Sequence, residues 1–260
     1  AMSTALSCFL NQTKIIHFHG GETTKNMIDE QFRYCISKLS SYHFVSTQNN
    51  KINLIKNSIK KNIFVVGSMS LSNLFEKTYN QNLPFLKKSY VLFTYHPISN
   101  EEKNISEVKE VFKALKKLAK NVNFIITSPN QDPGNQLIFD EIESLVSKNN
   151  KKVIFVESLG AEKYFNLIKN SLFVMGNSSS GIIEVASFGK YFLNIGERQY
   201  GRERSRNTLD AKAEYEDIML KFDEVFSKSK KNKNFKNIYH KRNTLQIVVK
   251  KINRIVQNED

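Results

Sequence analysis

The sequence predicts an α/β protein. Short apolar runs of strand length recur along the chain, several of them stop at glycines or at a histidine-proline pair, and stretches with helical apolar spacing separate them. From Tyr90 onward the alternation is regular, which implies parallel strands joined by right-handed crossovers. With 260 residues, 40% of them hydrophobic, the chain can bury a sizeable core as one large or two small domains.

Ala1 to Leu10 is an apolar, helix-like run with no cap before it, so the chain is expected to begin inside an element. Lys14 to His19, KIIHFH, reads as a buried strand stopped by Gly20-Gly21. Glu22 and two threonines then precede a helix expected around Met27 to Leu39. Tyr42 to Ser46 and Ile63 to Val66 read as two more strands, the second closed by Gly67, giving an incomplete doubly wound sheet. Pro84 to Ser89, PFLKKS, is the expected hinge.

The second part opens with the strand Tyr90 to Tyr95, ended by His96-Pro97, and a helix predicted over Val108 to Ala119. The strand Asn123 to Thr127 leads into a turn-rich loop, SPNQDPGN, and a helix over Gln136 to Ser147. Val153 to Val156 runs into Ser158-Leu159-Gly160 and a helix over Ala161 to Lys169. A basic stretch, Ser227 to Arg242, precedes an apolar-periodic helix over Leu245 to Val256. The expected division is therefore 1–86, 87–226 and a terminal segment 227–260 that returns to the first part.

Composition narrows the function classes. The net charge of +14 fits either nucleic-acid binding or a coding bias that enriches lysine, asparagine and isoleucine together. Lysine spread over helix faces and one tail favours the second, so no nucleic-acid partner is expected. No stretch is long enough to span a membrane, and no basic-then-apolar signal opens the chain. Cys8 and Cys35 make no disulfide framework, so a cytoplasmic location without membrane association is expected.

The richest stretch is Phe173 to Asn207. An apolar run breaks at Gly176-Asn177 into three serines that suit a helix start, with Ile182, Ile183, Val185 and Ala186 as its apolar face and Gly181 permitting a close backbone approach. A strand, a small-residue turn and a helix leave free N–H groups where a phosphate binds. Glu184, one turn in, would repel phosphate but suits the paired hydroxyls of a ribose. A second strand, Tyr191 to Ile195, is followed by Arg198, Arg202, Arg204 and Arg206, which read either as a solvated basic loop or as groups facing the crevice beyond the strand ends.

The wording GNSSSGIIEVASFG…NIGERQYGRERSRN resembles the signature of the hydrolysing UDP-N-acetylglucosamine 2-epimerases, which start sialic and legionaminic acid biosynthesis. The related non-hydrolysing epimerases continue with Arg-Pro-Glu after the second strand, so this loop points to the hydrolysing branch. The resemblance implies a GT-B-like architecture of two Rossmann-like halves facing a cleft, with the first half truncated. HFHGGETTKNMIDEQFRYCISKLSSYHFVST resembles the second stretch of that half. The opening strands, a glycine-arginine turn for the phosphates and a Gly-Asp-Arg are expected to be missing.

Within 17–33, His17, His19, Glu22, Asp29, Glu30 and Arg33 cluster. Two histidines at i, i+2 share a strand face, but no further His or Cys stands at ligand spacing, so no metal is expected. Asp29 and Glu30 read as a helix cap on their own; the resemblance makes Glu22, Asp29, Arg33 and His96 the catalytic candidates. It likewise implies nucleotide-binding roles for Asn130, Leu159, Ser178, Ser179, Glu184 and Arg198. Asn130 and Asp132 are equally good turn formers, and Ser158 to Gly160 is expected to offer backbone groups to the base. The family commonly has a serine and a histidine where Gln31 and Tyr34 stand here.

The implied reaction removes the C2 proton of UDP-N-acetylglucosamine as UDP leaves C1, and adds water at C1 with reprotonation at C2 from the other face. N-acetylmannosamine and UDP result, with no cofactor. A homo-oligomer is expected. UDP versus GDP, and further acetamido substitution of the sugar, stay open. A glycosyltransferase of the same fold, or a nucleotide-sugar-binding remnant or half of a split enzyme, are the alternatives.

Overall fold

The computed structural model describes residues 1–25, 28–72, 89–149, 151–157, 160–230 and 234–257. The chain separates into two compact units. One comprises Ala1–Lys77, Tyr200–Glu203 and Asn237–Asp260; the other comprises Thr78–Gln199 and Arg204–Lys236. The expected hinge falls on residues of which 84–88 lie outside those described.

In the first unit, helix α1 (Met2–Leu10) packs against α2 (Ile28–Leu39), and strands β1 (Ile16–Phe18), β2 (Tyr42–Val45) and β3 (Ile63–Val65) form a parallel sheet in that order. Helix α3 (Gln48–Lys56) starts at a capping box: the Thr47 hydroxyl accepts from Asn50 N–H, and the Asn50 side chain accepts from Thr47 N–H. Phe44 and Val66 build the core with Val248 of the terminal helix Thr244–Gln257, joined by Ile16, Phe18, Phe64, Ile252 and Ile255. Thr244 Oγ1 donates to the Val66 carbonyl at 2.8 Å, fixing the start of that helix at the end of β3.

The second unit is a six-stranded parallel sheet. Its strands are β4 (Tyr90–Thr94), β5 (Asn123–Thr127), β6 (Val153–Val156), β7 (Val174–Gly176), β8 (Phe192–Ile195) and β9 (Thr208–Ala211), in the order β6-β5-β4-β7-β8-β9. Val91, Phe93, Phe124, Ile126, Phe173, Met175, Leu193 and Ile195 lie buried between the helices, which is why these strands read as unbroken apolar runs. Helix α4 (Glu101–Leu118) starts seven residues before its apolar repeat. Asn100 caps it by accepting from Lys103 N–H, and Glu101 and Glu102 favour the positive end of the helix dipole.

Helices α5 (Asn135–Lys148) and α6 (Gly160–Asn170) match the sequence expectation. The serine turn does not give a regular helix. Helix α7 (Ser179–Ile183) is five residues long and passes at Glu184 into a 3-10 turn, Val185–Phe188. Two elements were not expected from the sequence: the short, half-buried β9, and helix α8 (Tyr215–Ser229), which buries Ile218, Phe222 and Val225 and carries the unit past residue 226.

Candidate functional site

In the first unit the chain leaves β1 through His19, whose φ of 62° lies in the left-handed region, and turns at Gly20-Gly21. Gly21, at φ 75°, is obligatory: a Cβ there would sit 2.2 Å from the Asn50 carbonyl oxygen of α3. The turn delivers Glu22 into the interior, where its side chain is only 4% exposed. Arg202, from the separate segment 200–203, meets it with NH1 2.6 Å from Oε2. The other oxygen, Oε1, lies 3.1 Å from His19 Nδ1 and accepts from Ser46 Oγ at 3.2 Å.

Burial pushes the Glu22 carboxyl upward. The hydrogen bond from His19 and the charges of Arg202 and Arg33 outweigh that, and its pKa falls below the usual carboxylate range. Glu22 is a catalytic candidate by the resemblance; the buried guanidinium, 180 residues away along the chain, holds its carboxyl as an anion.

Arg33 braces the same turn, donating through NH1 to the Glu22 carbonyl at 3.2 Å and to Thr24 Oγ1 at 3.1 Å. Asp29 is exposed in the first turn of α2 beside Glu30, where both carboxylates suit the helix dipole. His17 Nδ1 lies 3.0 Å from Ser37 Oγ, and burial with the neighbouring His43 lowers its pKa to about 4. Among the described residues no group of three His, Cys, Asp or Glu side chains is placed to hold a metal.

Segment 200–203 is held within this unit by several elements. Lys25 N–H donates to the Tyr200 carbonyl at 2.9 Å, with its ammonium 5.3 Å from the Tyr200 ring centroid. Thr47 Oγ1 donates to Glu203 Oε2 at 2.6 Å, and Tyr239 Oη donates to the Glu203 carbonyl at 2.7 Å.

In the second unit the strand order doubles back at β4: β5 and β6 lie on one side, β7 and β8 on the other. Ligands of open α/β sheets bind beyond the carboxyl ends of strands at such a reversal. His96 and Asn177 follow β4 and β7 there. His96 N–H donates to Asn177 Oδ1 at 2.7 Å, and Asn177 Nδ2 donates back to the His96 carbonyl at 2.8 Å.

The His96 ring is fixed from the next loop, where Asn130 N–H donates to Nδ1 at 3.0 Å. An acceptor Nδ1 leaves the proton of the neutral ring on Nε2. Burial, and then the Arg198 charge, lower its pKa to about 4, so at neutral pH His96 is an uncharged N–H donor.

Arg198 reaches the Asn177 carbonyl at 3.5 Å and lies 3.8 Å from Asp132, whose carboxylate also accepts from the Asn130 side chain. Gln199 donates to the same carbonyl at 2.9 Å. Ser178 caps α7, accepting from Ser180 N–H at 3.4 Å, while Ser179 is half-buried at the first helical position. Ser180 Oγ pairs with Tyr164 Oη, a phenol pushed up to about 12 by burial and sensitive to the Glu184 charge. Beneath them Thr94 and Thr127 exchange a hydroxyl bond at 2.5 Å.

The four arginines have different surroundings. Arg198 lies at the serine turn, Arg202 is in the first unit on Glu22, Arg204 is bound to Asp210, and Arg206 is exposed. The group that approaches Gly181 is the Phe192 ring of β8, which would lie 2.2 Å from a Cβ at that position. Leu159, and Ser158 with it, lie outside the described residues. Sequence reasoning passed over Tyr164, Gln199 and the partners of Arg202. Asn177 had one visible signal, its place directly after a strand-ending glycine.

A family profile described as UDP-N-acetylglucosamine 2-epimerase matches residues 1–253. A GDP/UDP-N,N'-diacetylbacillosamine 2-epimerase (hydrolyzing) of Campylobacter jejuni is 36% identical over 236 residues, covering 87% of this chain and 61% of that protein. A UDP-N,N'-diacetylbacillosamine 2-epimerase (hydrolyzing) of Legionella pneumophila is 35% identical, covering 88% and 62%. The chain thus spans less than two thirds of the length of these relatives. The crystal structure of the Neisseria meningitidis UDP-GlcNAc 2-epimerase bound to UDP-GlcNAc superposes with a TM-score of 0.79 at 22% identity, covering 97% of this chain and 73% of that one, which shows a shared fold.

Proposed function

Because the chain belongs to the UDP-N-acetylglucosamine 2-epimerase family, we propose that it serves a hydrolysing 2-epimerase acting on a nucleoside-diphosphate-linked 2-acetamido sugar. The observation that carries this reading is the identity, over most of the chain, with two proteins named as hydrolysing epimerases. The geometry supports it. His96 offers an Nε2–H and Arg198 a guanidinium beside the serine turn, donors suited to the diphosphate that departs from C1. Glu184, beside Tyr164, is the residue proposed for the ribose hydroxyls, and Asn130, Ser178 and Ser179 line the same strand ends.

In the first unit Glu22, Asp29 and Arg33 are proposed to line the place where C2 reacts, Glu22 as a fixed anion and not as the group that takes the proton. The substrate is proposed to be UDP-N-acetylglucosamine or a diacetamido analogue. The test is to incubate the 260-residue protein in D2O with UDP-N-acetylglucosamine and with the UDP- and GDP-diacetylbacillosamines, following products by NMR. Release of nucleoside diphosphate with a free sugar of inverted C2 carrying deuterium supports the reading. Transfer of the sugar to an acceptor with C2 unchanged, or no reaction with any of the three, overturns it.

A further inference from the structure

We propose that His19 is a catalytic base of this reaction, with Glu22 and Arg202 as the residues that orient it. The proposal rests on the reaction read above and names the group that takes the C2 proton.

The argument starts from the ring's Nδ1 edge. Two oxygens crowd it: Glu22 Oε1 at 3.1 Å and Ser46 Oγ at 2.9 Å. Glu22 is ionised, since Arg202 NH1 lies 2.6 Å from its other oxygen in a pair whose side chains are 4% and 9% exposed. An ionised carboxylate only accepts, and Ser46 Oγ, 3.2 Å from Oε1, can give its proton there while accepting from Nδ1. A bare Nδ1 would set its lone pair against the carboxylate, so in the neutral ring Nδ1 carries the proton and Nε2 the lone pair.

The imidazole is 36% exposed although its Nδ1 edge faces buried groups, so the edge that reaches solvent is that of Nε2. A carboxylate that fixes the tautomer of an imidazole and faces it when it becomes charged is the arrangement of acid–base dyads. The backbone agrees: φ of 62° at a non-glycine residue is an outlier of the kind concentrated at functional sites. Among the described residues, Glu22 and His17 interact with the ring, and Arg202 and Arg33 act on Glu22.

The step balances. Nε2 takes the proton from C2, the C–H pair becomes the C1–C2 double bond, and the C1–O bond breaks with its electron pair leaving on the nucleoside diphosphate. The resulting imidazolium faces Glu22. His96, whose tautomer is the opposite one, has no lone pair to offer at Nε2.

The test is a two-bond 1H–15N correlation spectrum of the histidine-labelled 260-residue protein, with His19 assigned by its loss in H19Q. An Nδ1–H tautomer for His19, redistributed toward Nε2–H in E22Q, is the expected result; an Nε2–H tautomer in the parent overturns the proposal. In activity, H19Q is expected to slow deuterium incorporation at C2 at least 100-fold with UDP affinity changed less than twofold. A parental rate in H19Q also overturns it. A parent that turns over no nucleotide sugar sinks the reaction, whereas an active parent with the wrong tautomer sinks this inference alone.

Discussion

The Asn177 amide and the His96 peptide exchange two hydrogen bonds, 2.7 and 2.8 Å long, across the point where the second sheet reverses its strand order. The Asn177 carbonyl in turn receives Arg198 and Gln199. One residue thus ties the ends of two strands to the groups proposed to meet the diphosphate. Asn177→Ala leaves a peptide N–H and a carbonyl without partners and is expected to cost about 2–3 kcal/mol. It is also expected to weaken UDP binding; urea denaturation and calorimetry measure the two effects.

Gly181 has a packing role that a ligand role would not share. Gly181→Ala sets a methyl carbon against the Phe192 ring and is expected to destabilise by about 1–3 kcal/mol. Phe192→Leu in the same background is expected to recover part of that loss. If G181A kept full stability and lost only UDP binding, the glycine would be serving the ligand.

Arg202 and Glu22 form a buried pair whose single removal leaves an uncompensated charge. Arg202→Met is expected to cost ~3–5 kcal/mol at pH 7, and the double variant with Glu22→Gln to cost less than R202M alone. Denaturation midpoints for the full cycle check this; additive losses would mean that the two side chains do not interact.

His17 and His96 both fall from 6.5 to about 4 on folding. Each is neutral when folded and protonates more readily when unfolded, so the unfolded state binds more protons between those values. The stability they contribute is complete above pH 6.5 and is lost as pH falls toward 4, by up to about 3 kcal/mol per histidine. Chemical denaturation at pH 7 and pH 4.5 reads the loss, and His96→Gln is expected to flatten part of the slope.

The strands of the second unit were legible because helices cover both sheet faces, leaving apolar runs such as Tyr90–Thr94 with no alternation to misread. β9 escaped because it closes the sheet as a four-residue edge strand with only Ala211 buried. The serine turn was legible as a strand end, but not as a five-residue helix, since nothing local announces the break at Glu184. His96, Asn130 and Arg198 stand out in the sequence by their positions after strands, and the structure holds Asn130 on the His96 ring and Arg198 on the Asn177 carbonyl. The state of Glu22 was not legible, because it depends on a cation 180 residues away, and Gly181 announced a close approach without naming the Phe192 ring as the group that makes it.

The first unit is stitched from distant parts of the polypeptide: Glu22 to Arg202, Thr47 to Glu203, Val66 to Thr244. A ribosome therefore releases β1 to β3 long before the residues that complete their surroundings exist. The second unit can condense as it is synthesised, whereas the first must wait for its last stitches, which makes it the slower to mature and the more exposed to proteolysis during synthesis.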